Sequence, residues 1–184
     1  MVRRFKVAVM LVAAGFLTVT LAAQDQAARR ESREKARAYW KRADARRRRR
    51  KYEDAAKDYE KAAESWEAAN NRNFANVTRQ MVQLCEAMPF SVKKLKDGTY
   101  TGTARGYSGD ITVKVTIQRG RIRRFEVTDQ RESRPLKSLN ILPGLIGRKQ
   151  SPSVDVVTGA TMTSYGVMAA TLTALEKAKP DAAD

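Results

Sequence analysis

A stretch without proline or glycine, from Gln24 to Glu86, limits most strongly what this chain can fold into. It is rich in Ala, Arg, Lys, Glu and Gln, which are residues of high helix propensity. Within it, one set of apolar and aromatic residues recurs at spacings of three and four, as one face of a helix does. These residues are Tyr52, Ala55, Tyr59, Ala62 and Trp66. The sequence therefore predicts a basic α-helical hairpin over residues 25–88, with a break near Asn70 to Asn73, that serves as a stalk or docking surface.

The periodicity changes after Pro89, which together with Asp97-Gly98 marks a domain boundary. Residues 111–118 alternate strictly between apolar and polar side chains, which is typical of a half-buried strand. A tight turn at Arg119-Gly120 predicts a partner strand over residues 121–129, and residues 97–107 predict a first strand. Ile122, Phe125 and Val127 of the partner strand need one bulge to share a face.

The rest of the chain completes an α+β domain over residues 96–180, a small antiparallel sheet with helices. Residues 135–150 are interpreted as short helical pieces, and residues 153–157 as the end of a short apolar strand. A last helix is predicted over residues 164–179, with Thr163 or Ser164 as its N-cap. Its inward face carries Val167, Met168, Leu172 and Leu175.

The N-terminal residues 1–24 are predicted to be a signal peptide or a signal-anchor helix. A basic flank of Arg3, Arg4 and Lys6 precedes an uncharged, mostly apolar run from Val7 to Ala23. The length of this run lies at the lower edge for a membrane-spanning helix and above that of the usual signal-peptide core. The many basic residues after the run argue against export, because such charge prefers the cytoplasmic side. We nevertheless expect the chain to be exported and either anchored or secreted.

The charge of the chain favours anionic partners. Its 36 Lys and Arg against 20 Asp and Glu give a formal net charge of +16. The densest basic run, Arg46 to Lys51, has three interpretations: a solvated helical face, a nucleic-acid arm, or a contact with anionic headgroups near a membrane. No aromatic platform or DNA-reading motif accompanies the run, so we prefer the solvated face and expect no nucleic acid.

The chain contains one cysteine, Cys85, and no histidine. A single cysteine excludes an intramolecular disulfide. The absence of histidine removes the commonest general base and metal ligand, so we expect no metal site and no Ser-His or Cys-His catalysis. Chemistry in this protein is therefore expected to come from a bound cofactor, and Cys85 is interpreted as a packed helix residue.

The stretch DVVTGATMTS, residues 155–164, is unusually rich in small hydroxylated side chains. A turn that contains glycine and leads into a helix presents unpaired N–H groups and the positive end of the helix dipole, which suits a phosphate. Gly159 and Ala160 leave room for the backbone to approach a ligand. On spacing alone, an ordinary capped helix start is the preferred interpretation of the stretch, although its hydroxyls exceed what one cap requires.

Residues from about Lys96 to Lys179 resemble the small FMN-binding domain of the G subunit of Rnf complexes, the C subunit of sodium-translocating NADH:quinone reductase, NosR and many exported flavoproteins. Four stretches carry this resemblance: DGTYTGTARGYSGDITVKVTIQRGRI, RES, ILPGLIGRKQS and DVVTGATMTS. The last of them is similar to the Asp-x-x-Ser/Thr-Gly-Ala-Thr signature of the family. In RES, Glu132 matches the family's Glu-Thr pair, whereas Ser133 replaces its threonine. The helical residues before Lys96 lie outside the resemblance.

The resemblance implies a covalent cofactor, since members of the family carry FMN joined through its phosphate to the last Thr of the signature by a dedicated flavin transferase. That residue is Thr161 here. Asp155, Thr158, Gly159 and Ala160 would be recognised by the transferase and shape the phosphate turn. The other candidate cofactor-binding residues are Thr163, Ser164, Glu132 and Tyr107, of which Tyr107 either flanks the flavin or is a half-exposed strand tyrosine.

The implied function is electron transfer by an FMN-carrying subunit rather than stand-alone catalysis. Its expected partners are redox proteins of a membrane chain on the extracytoplasmic, periplasmic side. Nearby arginines would favour the anionic reduced flavin; those considered are Arg105, Arg123, Arg124, Arg131 and Arg134. Two alternatives are a non-redox binding module and a basic nucleic-acid-binding protein that uses the Arg46–Lys51 run.

Overall fold

The computed structural model describes residues 2–133 and 137–180, with residues 2–21 described as helical backbone alone. Five helices and three strands follow one another in the described chain, and a short 3-10 turn, Val92–Lys94, precedes the first strand. The elements are α1 (Val2–Arg48), α2 (Tyr52–Ala68), α3 (Arg72–Glu86), β1 (Gly98–Arg105), β2 (Asp110–Gln118), β3 (Arg121–Gln130), α4 (Lys137–Lys149) and α5 (Thr161–Glu176). The predicted α+β architecture with a small antiparallel sheet is therefore confirmed.

The predicted break between two helices lies at the end of α2, where Asn70 has a positive φ of 56°. The side chain of Asn71 then caps α3 by accepting a hydrogen bond from the Phe74 N–H at 3.2 Å. A second break, at residues 49–51, separates α1 from α2, with Arg50 at a φ of 60°. Helix α2 buries the face that its periodicity predicts, including Tyr59 and Trp66.

Among the residues whose side chains the structure describes, no helix is both long and apolar enough to cross a membrane. The predicted apolar run from Val7 to Ala23 lies almost wholly outside those residues. A membrane segment at the N-terminus therefore stays a prediction.

The sheet has the order β1-β2-β3, and both pairs are antiparallel. Two residues with positive φ, Arg119 (54°) and Gly120 (64°), form the turn between β2 and β3, as a type I′ hairpin requires. The predicted bulge occurs at Thr116/Ile117, and a second one lies at Thr112/Val113. With these bulges Ile122, Phe125 and Val127 pair with Ile117, Val115 and Val113, so the apolar side chains share one face.

Helix α5 lies across the sheet and is buried over most of its length. Its four predicted inward residues are all buried. Two glycines allow it to approach the sheet closely. A Cβ on Gly102 of β1 would overlap the Ala170 carbonyl oxygen and come within 2.5 Å of Ala174 N, and a Cβ on Gly166 would lie 2.9 Å from Arg105 O. The strand backbone and the helix backbone are therefore in direct contact.

We expect Gly102→Ala to destabilise the fold by about 1–3 kcal/mol, because the added methyl group meets backbone atoms that have no rotamer to change. Gly147→Ala in α4 is the matched control, since in the described chain its added Cβ meets no atom within 4 Å beyond the neighbouring backbone of its own helix. It should be neutral or stabilise the helix by up to about 1 kcal/mol. Urea unfolding followed by circular dichroism measures both changes, and equal stabilities of the two variants would contradict the close approach.

Three local predictions are wrong. Residues 153–157 form no strand, because two of their N–H groups contact side chains of α5 instead of another strand. Val154 N–H lies 3.4 Å from Met168 Sδ, and Val157 N–H donates to Ser164 Oγ at 3.1 Å. Helix α4 is one continuous helix that contains Pro143. Helix α5 begins at Thr161 with Ala160 as N-cap, so neither Thr163 nor Ser164 caps it.

The Arg46–Lys51 run is not a uniform solvated face, as the preferred interpretation has it. Arg47 is only 3% exposed, and Arg46 pairs at 2.8 Å with Asp58, a carboxylate that is itself 2% exposed. The remaining members of the run, residues 48–51, are exposed. The run thus divides between buried structural cations and a short exposed segment at the α1–α2 turn.

Arg47 belongs to a buried polar cluster that joins three helices. Its guanidinium donates to Tyr59 Oη at 3.1 Å and pairs with Asp44 at 3.2 Å. Tyr59 and Tyr165 donate to the two oxygens of Asp44 at 2.6 and 2.9 Å. Burial raises the pKa of both tyrosines well above the ordinary value, so they stay protonated donors.

The helices before Lys96 therefore share their core with the sheet domain. Tyr59, Met81 and Leu84 lie in one buried cluster with Ile111 of β2 and Leu175 of α5. The buried cluster of Asp44 and Arg47 connects α1 to the same helix α5. The helical region thus packs on the element whose first turn carries the hydroxyl-rich motif.

Candidate functional site

A cavity of about 510 Å³ opens at the N-terminus of α5. It brings together six of the residues predicted from sequence and two that were not. Its lining residues are Tyr107, Lys137, Thr158, Gly159, Ala160, Thr161, Met162 and Thr163. The hydroxyl-rich motif is therefore the wall of a cavity as well as the start of a helix.

The turn that leads into α5 depends on Gly159. Its φ of +81° lies in the left-handed region, which side chains with a Cβ rarely adopt. The Ala160 N–H donates to Val157 O at 2.9 Å and closes the turn. This geometry turns the chain sharply enough to place Thr158 and Thr161 on the same cavity.

The first turn of α5 presents backbone donors to the cavity. Thr161, Met162 and Thr163 begin the helix, so no intrahelical acceptor exists for their N–H groups. In the part of the chain that the structure describes, these N–H groups have no other acceptor, and no side chain caps the helix. Three free donors and the positive end of the helix dipole are the features that hold a phosphate.

The hydroxyls of the motif fall into two classes. Thr163 donates to Glu132. Ser164 donates to Ala160 O at 2.8 Å and accepts from Val157 N–H. Both hydroxyls are therefore engaged in hydrogen bonds within the protein. The hydroxyls of Thr158 and Thr161 have no hydrogen-bond partner among the described residues. Thr161 is half-buried and Thr158 exposed. Thr161 therefore offers an uncommitted oxygen beside the three free N–H groups.

Glu132 connects the motif to the turn between β1 and β2. One carboxylate oxygen accepts from Thr163, and the other accepts from the Ser108 N–H at 3.0 Å. The Gly106 N–H donates to Gly109 O at 2.7 Å and closes that turn. Glu132 thus acts on the predicted site through Thr163, and its side chain does not line the cavity.

Ser133, which departs from the family pattern, hydrogen-bonds to Ser108, with 2.6 Å between the two hydroxyl oxygens. No sequence pattern predicts this pair, because the two serines lie far apart along the chain. Their hydrogen bond holds the β1–β2 turn from the side of β3.

Helix α3 supports the cavity from outside the region of resemblance. Asn73 donates to Tyr107 O at 2.8 Å, and the ring of Phe74 lies 6.0 Å from that of Tyr107. The Gln80 amide exchanges two hydrogen bonds, each 2.9 Å, with the backbone of Arg105. Tyr107 is 40% exposed, so its ring is fixed on one side and open on the other.

Asp155 lies away from the cavity, contrary to its grouping with the motif. Its carboxylate pairs with Lys149 at 3.2 Å and borders a different cavity. The sequence did not separate Asp155 from Thr158 because residues so close along the chain are expected to act together.

None of the predicted arginines in the described chain lines the cavity; the cation that does is Lys137, at the start of α4. Arg105 bonds to Asn73 at 3.0 Å, and Arg124 pairs with Glu126. Arg134 lies outside the described residues. Lys137 was not among the predicted site residues, because no sequence pattern links it to the motif.

Cys85 is buried, and burial raises the pKa of its thiol to about 12. At pH 8 the thiol is therefore almost wholly protonated and shielded, and we expect no rapid reaction with Ellman's reagent in the folded protein. One equivalent should react once urea unfolds the chain. A fast reaction of the folded protein would contradict this placement of Cys85.

Comparison with known proteins confirms the resemblance. Residues 106–176, which include every predicted site residue, match the family model described as the FMN-binding domain. The chain is 33% identical over 97 residues to a protein of Treponema pallidum, a match that covers 52% of this chain and 27% of that protein.

Two further relatives are named for redox reactions. The chain is 35% identical over 79 residues to a urocanate reductase of Eggerthella lenta, covering 42% of this chain and 13% of the relative. It is 32% identical over 77 residues to an NADH:acrylate oxidoreductase of Vibrio harveyi, covering 41% and 8%. The matched region thus spans less than a third of each of the three curated relatives.

Proposed function

We propose that this chain is an electron-transfer flavoprotein that carries FMN as a phosphoester on Thr161. The observation that supports it best is the Thr161 hydroxyl, which is free of partners in the described chain, faces a cavity of about 510 Å³ and starts helix α5. The match of residues 106–176 to the FMN-binding domain is the reason that we propose FMN as the cofactor. We also propose that a flavin transferase attaches it from a flavin dinucleotide: the Thr161 oxygen forms the new bond to the flavin-side phosphorus as the pyrophosphate P–O bond breaks, the nucleoside monophosphate leaves and the hydroxyl proton is released.

The residues at this cavity fit the phosphate group of FMN. The N–H groups of Thr161, Met162 and Thr163 would donate to the phosphate oxygens, as N–H groups at helix N-termini do. Lys137 lines the same cavity and would add a positive charge. Gly159 carries no Cβ, and apart from its chain neighbours no atom of the described residues lies within 4 Å of where one would lie, so the backbone turn is open to the ligand.

Bound FMN supplies one- and two-electron transfer, and the protein supplies orientation and electrostatics. Tyr107, held by Asn73 and Phe74, would flank the isoalloxazine ring with its exposed side. Lys137 would favour a negative charge on the cofactor. No acid–base side chain is required, in keeping with a chain that contains no histidine.

We propose that the chain is a relay or subunit that passes electrons between redox proteins, rather than a stand-alone enzyme. Two relatives whose names are those of oxidoreductases carry a similar region as a small part of a longer chain, which supports a carrier role. We further propose that the N-terminal segment holds it at the extracytoplasmic face of a membrane. A phosphoester would prevent loss of FMN there.

The test is made on the full chain, co-expressed with a flavin transferase and directed to the exported compartment. A denaturing gel viewed under ultraviolet light, an intact mass and peptide mapping follow the cofactor. We expect a fluorescent band whose mass is increased by one FMN less one water, with the addition on the peptide containing Thr161. A dark band at the unmodified mass would contradict the proposal and leave the motif as a helix start.

A further inference from the structure

We propose that a basic trough, separate from the cavity at α5, is the docking site for an acidic, extended segment of a partner protein. The trough consists of two cavities of about 440 and 520 Å³ that share Phe90 and Gln150 as wall residues. Six exposed cations line it: Arg48, Arg50, Lys93, Arg119, Arg121 and Lys149. No lining residue is shared with the cavity at Thr161.

The walls of the trough are fixed by backbone and side-chain contacts. Gln150, at the end of α4, accepts from the Ile122 N–H at 2.7 Å and donates to Ile122 O at 3.1 Å. The turn at Gly120 packs on Lys93, whose carbonyl oxygen would lie 3.0 Å from an added Cβ. Arg47, directly before the α1–α2 turn, donates to Val154 O at 2.6 Å. The α1–α2 turn, the C-terminal end of α4 and the β2–β3 turn are therefore held around one concave surface.

Charge in the trough is strongly unbalanced. Among the described residues that line it, Asp155 is the one carboxylate, and it pairs with Lys149 at 3.2 Å. The other five cations form no ion pair in the described chain. Arg47 also lines the trough, but Asp44 offsets its charge. A concave surface of one sign focuses the electrostatic field and attracts the opposite sign. Arginines bind carboxylates through two parallel hydrogen bonds, which favours Asp and Glu side chains.

The position of the trough argues against a lipid surface. Arg48 ends α1, about 36 Å along the helix axis from Gln24 at 1.5 Å per residue. A membrane that holds the residues before Gln24 would therefore lie at the far end of this helix. A concave site is also poorly matched to a planar bilayer, whereas an extended peptide can lie in it beside the half-buried rings of Tyr52 and Phe90.

The trough adjoins the segment that carries the motif. Asp155 lines the trough and Thr158 lines the cavity at α5. They are three positions apart along the chain, which limits their separation to about 11 Å. A partner bound in the trough would thus lie next to the segment that leads to Thr161. This inference goes beyond the proposed cofactor and does not depend on it, because peptide binding is measured without flavin.

The test is fluorescence anisotropy of a labelled Glu-rich peptide titrated with the full chain. Arg50→Glu combined with Arg121→Glu should weaken binding about tenfold or more, since it reverses two charges in the trough. Arg33→Glu combined with Arg37→Glu is the matched control, because both residues are exposed on α1 outside the trough and neither forms an ion pair in the described chain. Circular dichroism confirms that both variants fold.

Equal losses in the two double variants would overturn the proposal, because net charge alone would then explain binding. Vesicles of anionic lipid and a single-stranded oligonucleotide are titrated in parallel at the same salt concentration. If either binds more tightly than the peptide and loses affinity only in the trough variant, the trough serves that partner and the proposal is wrong. Selective loss of peptide binding in the trough variant supports it.

Discussion

Thr161→Val is expected to abolish covalent flavin while leaving the fold intact. The substitution keeps the shape of the side chain and removes only the hydroxyl, which has no hydrogen-bond partner in the described chain. We therefore expect a change in stability within about 0.5 kcal/mol. Co-expression with a flavin transferase, followed by a denaturing gel and an intact mass, should show complete loss of the fluorescent band.

Thr173→Val, on the same helix, is the control for this variant. Its hydroxyl donates to Ala169 O at 3.1 Å within α5 and lies outside the cavity, so the band should persist. Flavin that stays attached to denatured Thr161→Val would exclude Thr161 as the attachment residue. In that case Thr158, the other hydroxyl of the cavity without a partner in the described chain, would be the next to substitute.

Arg47→Met is expected to destabilise the fold by about 3 kcal/mol, the loss that follows when one partner of a buried ion pair is removed. Methionine fills a similar volume, but it leaves the Asp44 carboxylate without a cation in the interior. It also removes the donor to Val154 O, a hydrogen bond of 2.6 Å, directly before the motif. The substitution is therefore expected to destabilise the segment that leads to the cavity as well as the packing of the helices.

Arg49→Met is the matched control, because Arg49 belongs to the same basic run and is exposed. It should change the free energy of unfolding by less than about 0.5 kcal/mol. Urea unfolding monitored by tryptophan fluorescence compares the two, since Trp40 and Trp66 lie on the helices that Arg47 joins. Similar small effects of both substitutions would mean that the buried cluster contributes little to stability.

The Arg47→Met and Arg49→Met variants address one question, which is whether the helices before β1 belong functionally to the domain that matches the FMN-binding family. Asn73 and Gln80 of α3 bond to the backbone of Tyr107 and Arg105, and Tyr165 of α5 donates to Asp44 of α1. Of the residues joined by these hydrogen bonds, only Tyr107 and Tyr165 lie within the matched residues 106–176. We therefore interpret the helical region as a brace for the cavity.

Much of the local structure was predictable because it depends on short-range patterns. The alternation in residues 111–118 and the spacing of Tyr59 and Trp66 gave the correct element types and the correct buried faces. The bulge needed by Ile122 and Phe125 followed from the same rule of alternation. The strand expected at residues 153–157 failed because its N–H groups meet the side chains of Met168 and Ser164 instead of another strand.

The sequence by itself determined most of the helix and strand types and the hydroxyl-rich turn before α5, because propensity, periodicity and the conformational freedom of Gly159 act within a few residues. Only the tertiary structure decided that Arg47 is buried, that Asp155 faces a trough and that Lys137 lines the cavity. Such assignments depend on which faces of distant elements meet. No short-range pattern predicts which faces meet, since the charged side chain of a lysine or aspartate can be solvated in either orientation of the same local sequence.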